Sequence, residues 1–125
     1  VLEAAKKFKV RRVIYASSIY AISIDGGFYR CSKRSAEDYI EEYKKLYGLK
    51  FTILRYGSLY GPRSSNESGI SRFLTQGFRD GKIIYPGTGH EIREYIHVKD
   101  ASKLSVDILE EEYANQHIII TGHHP

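Results

Sequence analysis

The 125 residues carry 42% hydrophobic and 27% charged side chains, the balance of a folded globular domain rather than a disordered tract. No apolar run reaches the roughly 20 residues of a membrane helix, so no membrane partner is expected. One cysteine excludes an internal disulfide framework and a cysteine-based zinc cluster, and suits a reducing, cytoplasmic setting with no metal. The net charge of +4 is spread through mixed-sign stretches such as Glu41-Glu42-Tyr43-Lys44-Lys45, which read as solvated helix faces rather than a nucleic-acid stripe.

In chain order, Val1 to Lys9 has helical composition, with Leu2, Ala5 and Phe8 spaced for one face. Val13-Ile14-Tyr15-Ala16 suits a buried parallel strand closed by Ser17-Ser18. Asp25-Gly26-Gly27 signals a turn, and helix is predicted from Phe28 to Tyr47 with Gly48 as its stop. Phe51 to Tyr56 is the next strand. Gly57 to Gly69 reads as a polar loop, and Ser68 to Asp80 as an amphipathic helix burying Ile70, Phe73, Leu74 and Phe78. Lys82 to Tyr85 is predicted as a short strand, Pro86 to Gly89 as a turn, and Glu94 to His97 as another extended piece. Helix is predicted from Val98 to Tyr113, followed by a last buried strand from His117 to Thr121. Helices and strands alternating over short links predict a parallel α/β architecture. The terminal His123-His124 reads as a tail.

Chemistry concentrates where the first strand ends and the long helix begins. Tyr29 precedes Lys33 by four residues, so phenol and ammonium share one helix face. Ser18 closes the strand upstream, near enough in the chain for its hydroxyl to meet that phenol. A phenol acts as a general acid or base when its ionised form is favoured, and an ammonium one turn away favours it. A nearby hydroxyl helps hold a developing alkoxide. Strand ends and the first turn of the next helix are also where open α/β sheets bind ligands. With eleven tyrosines in the chain the pattern recurs, as Tyr95 and Lys99, but that pair straddles a strand-to-helix boundary without a preceding serine and reads as structural. Cys31 lacks a paired histidine for nucleophilic work. Tyr39, Tyr43 and Tyr47 form a packing stripe.

Four ordered landmarks carry a resemblance. They are Val13 to Ser18; Tyr29-x-x-x-Lys33 with Arg34-x-Ala36-Glu37; Leu54-Arg55-Tyr56 running to Leu59-Tyr60-Gly61-Pro62-Arg63; and Arg93 to Ala101, followed by His117 to Gly122. Together they resemble the extended short-chain dehydrogenase/reductase family of NAD-dependent nucleotide-sugar epimerases and dehydratases. The resemblance implies the second half of a Rossmann-like NAD(P)-binding domain over residues 1–62. Residues 63–125 would be a partial substrate-binding region with a returning helix and strand. It implies NAD as cofactor, with NADP as the alternative, and a nucleotide-sugar substrate. Tyr29 would be the catalytic base, Lys33 would hold the nicotinamide ribose, and Ser18 would be the catalytic hydroxyl. Tyr56 and Ser17 would face the cofactor. Arg93 would grip the sugar-nucleotide diphosphate, with Ser58, Arg63 and Tyr85 as further substrate contacts.

The chain departs from the family pattern in three places. Ser18 and Tyr29 are only eleven residues apart, so the loop between them is shortened. Gly57-Ser58 stand where the family often carries Phe-Asn. Ile19-Tyr20 stand where a dehydratase usually adds an Asp-Glu pair, which favours an epimerase or a reductase over a dehydratase. No glycine-rich turn suited to a cofactor pyrophosphate occurs in the 125 residues. The chain is therefore expected to be the middle piece of a longer enzyme, a homodimer when whole, with the glycine-rich half before Val1 and no turnover in isolation. The alternative class is a non-catalytic α/β binding module.

Overall fold

The computed structural model describes residues 1–65 and 68–122; His123 and His124 lie outside the described residues. The first helix, α1, is Leu2–Lys7. Strand β1 runs Val13–Ser18, so the two serines belong to the strand rather than closing it. A 3-10 turn, Ile19–Ile22, leads to the long helix α2, Gly27–Tyr47. Gly48 ends α2 in the left-handed conformation (φ 69°) while its amide bonds back to the Lys44 carbonyl, the stop its lack of a Cβ permits. Strand β2 is Phe51–Tyr56, as its β-branched and aromatic content predicts.

The sheet has three strands in the order β1-β2-β5, both pairs parallel, with β5 at Gln116–Ile120. Strand β2 is central and covered on both faces, so its first four residues are all buried. One face packs Ile40 of α2 over Phe51 and Ile53, with Leu2 and Tyr15 alongside. The other face meets helix α4, Val98–Asp107, through Leu54, Ile96, Ala101, Ile108 and Ile120. Helix and strand from the second half of the chain thus build a second cluster on the opposite face of the sheet that the first half begins.

The polar loop after β2 contains an unforeseen strand, β3 (Ser58–Tyr60), which pairs in parallel with β4 (Tyr95–His97) as a separate two-stranded sheet. Gly57 allows that crossing, because a Cβ there would sit 2.9 Å from the Glu94 carbonyl oxygen. Helix α3, Gly69–Asp80, forms where its periodicity predicts, but none of its residues is buried and Phe78 is 90% exposed. The expected burial of Ile70, Phe73, Leu74 and Phe78 is therefore corrected: periodicity selects a face but does not provide a surface to cover it. Lys82 to Tyr85 is irregular rather than a strand, since it meets no strand to pair with among the described residues. Helix α4 ends at Asp107, short of the expected Tyr113, and a 3-10 turn follows at Glu111–Tyr113. Among the described residues no helix is long and apolar enough to cross a membrane.

Candidate active site

Alternation along β1 and β2 decides which side chains face α2. Ser17 and Arg55 are register partners on the α2 face, and both meet Glu37, the residue one turn beyond Lys33. Glu37 is 1% exposed. Ser17 donates its hydroxyl to Glu37 Oε1 at 2.5 Å, while Arg55 donates from Nε at 3.1 Å and from its terminal nitrogen at 2.6 Å. Burial pushes the Glu37 carboxyl up, but the hydrogen bonds from Arg55 and Ser17 outweigh it and hold the group below the usual carboxylate range. His117 of β5 lies at the edge of this cluster, its Nε2 3.1 Å from Glu41 Oε1.

One turn earlier on α2, Lys33 donates from Nζ to the Ala16 carbonyl at 2.9 Å. The same ammonium lies 5.2 Å from the Tyr15 ring centroid and 5.7 Å from that of Tyr29. Tyr29 is half-exposed, on the first turns of α2. The structure therefore brings Tyr29 and Lys33 together as their spacing predicts. Ser18 is buried at the end of β1, where its Oγ accepts the Tyr20 amide at 3.3 Å. Among the described residues no hydrogen bond joins Ser18 to Tyr29.

The substrate candidates divide. A cleft of about 1000 Å³ is lined by Ser58, Arg72, Tyr85, Glu91 and Arg93 among others. A smaller pocket of about 510 Å³ shares Ser58, Glu91 and Arg93 with it and adds Tyr20, Ser23 and Asp25. Arg93 donates to the Tyr20 hydroxyl at 2.7 Å, and that hydrogen bond raises Arg93 further above its ordinary value. Tyr85 donates to Glu91 Oε2 at 2.9 Å and packs on Phe73. Glu91 is also capped by the amides of Thr88 and Gly89, at 2.9 and 3.0 Å. Hydrogen bonds from Thr88, from its own backbone amide and from Tyr85 hold its carboxyl down to about 2.

Six expected residues stand apart from these clefts, among them the expected catalytic residues Ser18, Tyr29 and Lys33. Arg63, exposed at φ 66° in the loop after β3, lines neither of them. Ser17 is committed to Glu37. Tyr56 packs its ring against the α4-side core, and its hydroxyl meets Ser105 Oγ at 2.5 Å. Ser105 in turn donates to the Ala101 carbonyl, so Tyr56 is the donor of the pair. Two further residues carry little signal in the sequence. Glu37 stands out only as part of a motif, and its pairing with Arg55 requires the strand register. Tyr20 is marked only by the short loop that carries it, which keeps its side chain close to the site.

Comparison with known proteins identifies the family. The model of the NAD dependent epimerase/dehydratase family matches residues 1–121. The UDP-glucuronate 4-epimerase of Thermodesulfobacterium geofontis is 29% identical over 116 residues, covering 82% of this chain and 36% of that protein. The structure of UDP-glucuronic acid 4-epimerase from Bacillus cereus, solved with UDP-glucuronic acid and NAD, superposes with a TM-score of 0.87 at 26% identity, over 98% of this chain and 44% of that one. The dTDP-glucose 4,6-dehydratase from Streptomyces venezuelae, solved with NAD, gives 0.80 at 28% identity, over 95% and 41%. The chain spans about two fifths of the length of these relatives. With a family match over almost its whole length and landmarks in the family's order, the chain belongs to the NAD-dependent epimerase/dehydratase family, within the extended short-chain dehydrogenases/reductases.

Proposed function

We propose that this chain carries the proton-transfer centre and the diphosphate anchor of an NAD-dependent nucleotide-sugar epimerase. The observation that carries the reading is the Lys33 ammonium, held between the Ala16 carbonyl and the Tyr29 ring at the strand end. In this reading Tyr29 takes the proton of a sugar hydroxyl, and the adjacent positive charge steadies the phenolate. Ser18 donates its free O–H to the developing alkoxide. Arg93 offers a planar fork to the diphosphate, with Ser58 and Tyr85 lining the same cleft; Arg63, outside it, is given no part in the grip.

The residues present fit the nicotinamide-ribose end of NAD or NADP. An ammonium has three N–H donors; Lys33 gives one to Ala16, which leaves two for ribose hydroxyls. When bound, the nicotinamide supplies the hydride acceptor and donor. Ser17 and Tyr56 act behind that contact, with their hydroxyls committed to Glu37 and Ser105. Ile19-Tyr20 after Ser18 leave no carboxylate there for elimination, which favours epimerisation over dehydration, and the epimerases among the relatives suggest UDP-sugars as the substrate class.

The test is an epimerisation assay with NAD and UDP-glucuronate or UDP-glucose on the full polypeptide carrying these residues, with products separated by chromatography. Interconversion that Tyr29→Phe abolishes is expected. Wild-type turnover that survives Tyr29→Phe unchanged, or net loss of water from the sugar, would overturn the reading. The 125 residues assayed alone are expected to show no turnover.

A further inference from the structure

Tyr20 is not one of the proton-transfer residues, yet it touches Ser18 and Tyr29 on one side and the Arg93 anchor on the other. It stands in the 3-10 turn of the short loop between β1 and α2. Its amide donates to Ser18 Oγ at 3.3 Å, and its hydroxyl accepts from Arg93 at 2.7 Å. Its ring meets Tyr29 edge to face, with centroids 6.2 Å apart and planes at 81°. Gly26 leaves the room for that ring, since a Cβ there would lie 2.9 Å from Tyr20 Cδ1. One residue thus joins the strand-end hydroxyl through its backbone amide, and the phenol on α2 and the guanidinium shared by the two clefts through its side chain.

We propose that Tyr20 is a positioning residue that couples the diphosphate anchor Arg93 to the proton-transfer pair Ser18 and Tyr29. The proposal rests on the reading of Arg93 as that anchor. An exposed arginine is free in many rotamers, and fixing it on binding costs entropy. Tyr20 restricts that freedom beforehand, because it occupies only one of the five guanidinium N–H donors and leaves the others for phosphate oxygens. Its own O–H proton, with no acceptor among the described residues, remains available to the same anion. A shift of Arg93 onto a diphosphate then moves the Tyr20 ring, and the Tyr29 ring is its neighbour. Occupancy of the anchor is in this way reported to the phenol.

The experiment is a titration of the protein with UDP, followed by NMR at the Arg93 Nε–Hε and Tyr29 ring resonances, for wild type, Tyr20→Phe and Arg93→Ala, with each variant's thermal melt recorded. In the wild type UDP is expected to move both signals. Tyr20→Phe keeps the ring and removes the acceptor; UDP is expected to bind about three- to tenfold more weakly, with the Tyr29 response lost. UDP binding equal to or tighter than wild type in Tyr20→Phe, with the Tyr29 response intact, overturns the coupling and leaves Arg93 as anchor. A Tyr20→Phe variant that melts lower yet binds UDP unchanged makes Tyr20 structural only and also overturns it. If the wild type fails to bind UDP, or Arg93→Ala binds as well as wild type, the anchor reading falls and the coupling falls with it.

Discussion

The Lys33 ammonium donates to the carbonyl of Ala16 at 2.9 Å, and one helical turn later Glu37 accepts the hydroxyl of the next strand residue, Ser17. Two residues of α2 thereby grip two consecutive residues of β1, and Ser18 follows directly. The clamp sets how far the strand-end hydroxyl stands from Tyr29, because helix and strand cannot slide past one another without breaking both bonds.

Lys33→Met removes the charge beside Tyr29 while retaining the length of the stem. Its stability cost should be that of one hydrogen bond, about 1 kcal/mol. Turnover in the epimerisation assay should fall at least about 100-fold, since the phenolate loses its neighbouring cation. Comparing kcat with urea unfolding separates the two; a variant that loses stability but keeps its rate would contradict the assigned role.

Glu37 is the buried partner of Arg55, so Glu37→Ala should destabilise the fold by about 3–5 kcal/mol by leaving a largely buried guanidinium unpaired. Its acid dependence has a definite sign. The carboxyl is held below its ordinary 4.5, so the stability it contributes is present above that pH and is lost as pH falls through the lower folded value. Urea unfolding from pH 7 down to 3 should show a loss beginning below about 4.5, diminished in Glu37→Gln.

Glu91 organises the loop beside Arg93 by accepting the Thr88 and Gly89 amides. With its carboxyl near 2 instead of 4.5, this ordering should persist at pH 4 and fail only as pH approaches about 2. The amide resonances of Thr88 and Gly89 measure it directly. Glu91→Gln should shift both at pH 7 and remove their acid transition.

Tyr56→Phe and Ser105→Ala each remove one side of the same β2–α4 hydrogen bond. Each should cost about 1 kcal/mol, and the double variant should cost little more than either, as expected for partners in one bond. Additive losses would show that the two hydroxyls act independently.

Much of this fold is legible in the residues alone because its central elements carry redundant local signals. Strand β2 combines aromatic, β-branched and leucine side chains, and α2 has apolar spacing with a glycine stop, so both are found within a residue of their expected bounds. The periphery is less legible. Ile83-Ile84-Tyr85 has strand composition but meets no strand among the described residues, and β-structure requires a partner. Ser58 to Tyr60 reads as loop but becomes β3 because β4 lies alongside. The same contrast divides the site: Tyr29 and Lys33 lie on one helix turn and are visible as a spacing, whereas Arg93 and Tyr20, 73 residues apart, meet only in space.

By itself the sequence determined the parallel α/β class, the order of the helices and strands of the main sheet, and the placing of phenol and ammonium on one helix face, because each depends on neighbours within a few residues. Tertiary structure alone decided that Ser17 turns to Glu37, that Tyr56 binds Ser105, that Arg63 lies outside the clefts and that Tyr20 holds Arg93. Those outcomes depend on strand register and on which surfaces meet, and no local propensity encodes a contact between segments distant in the chain.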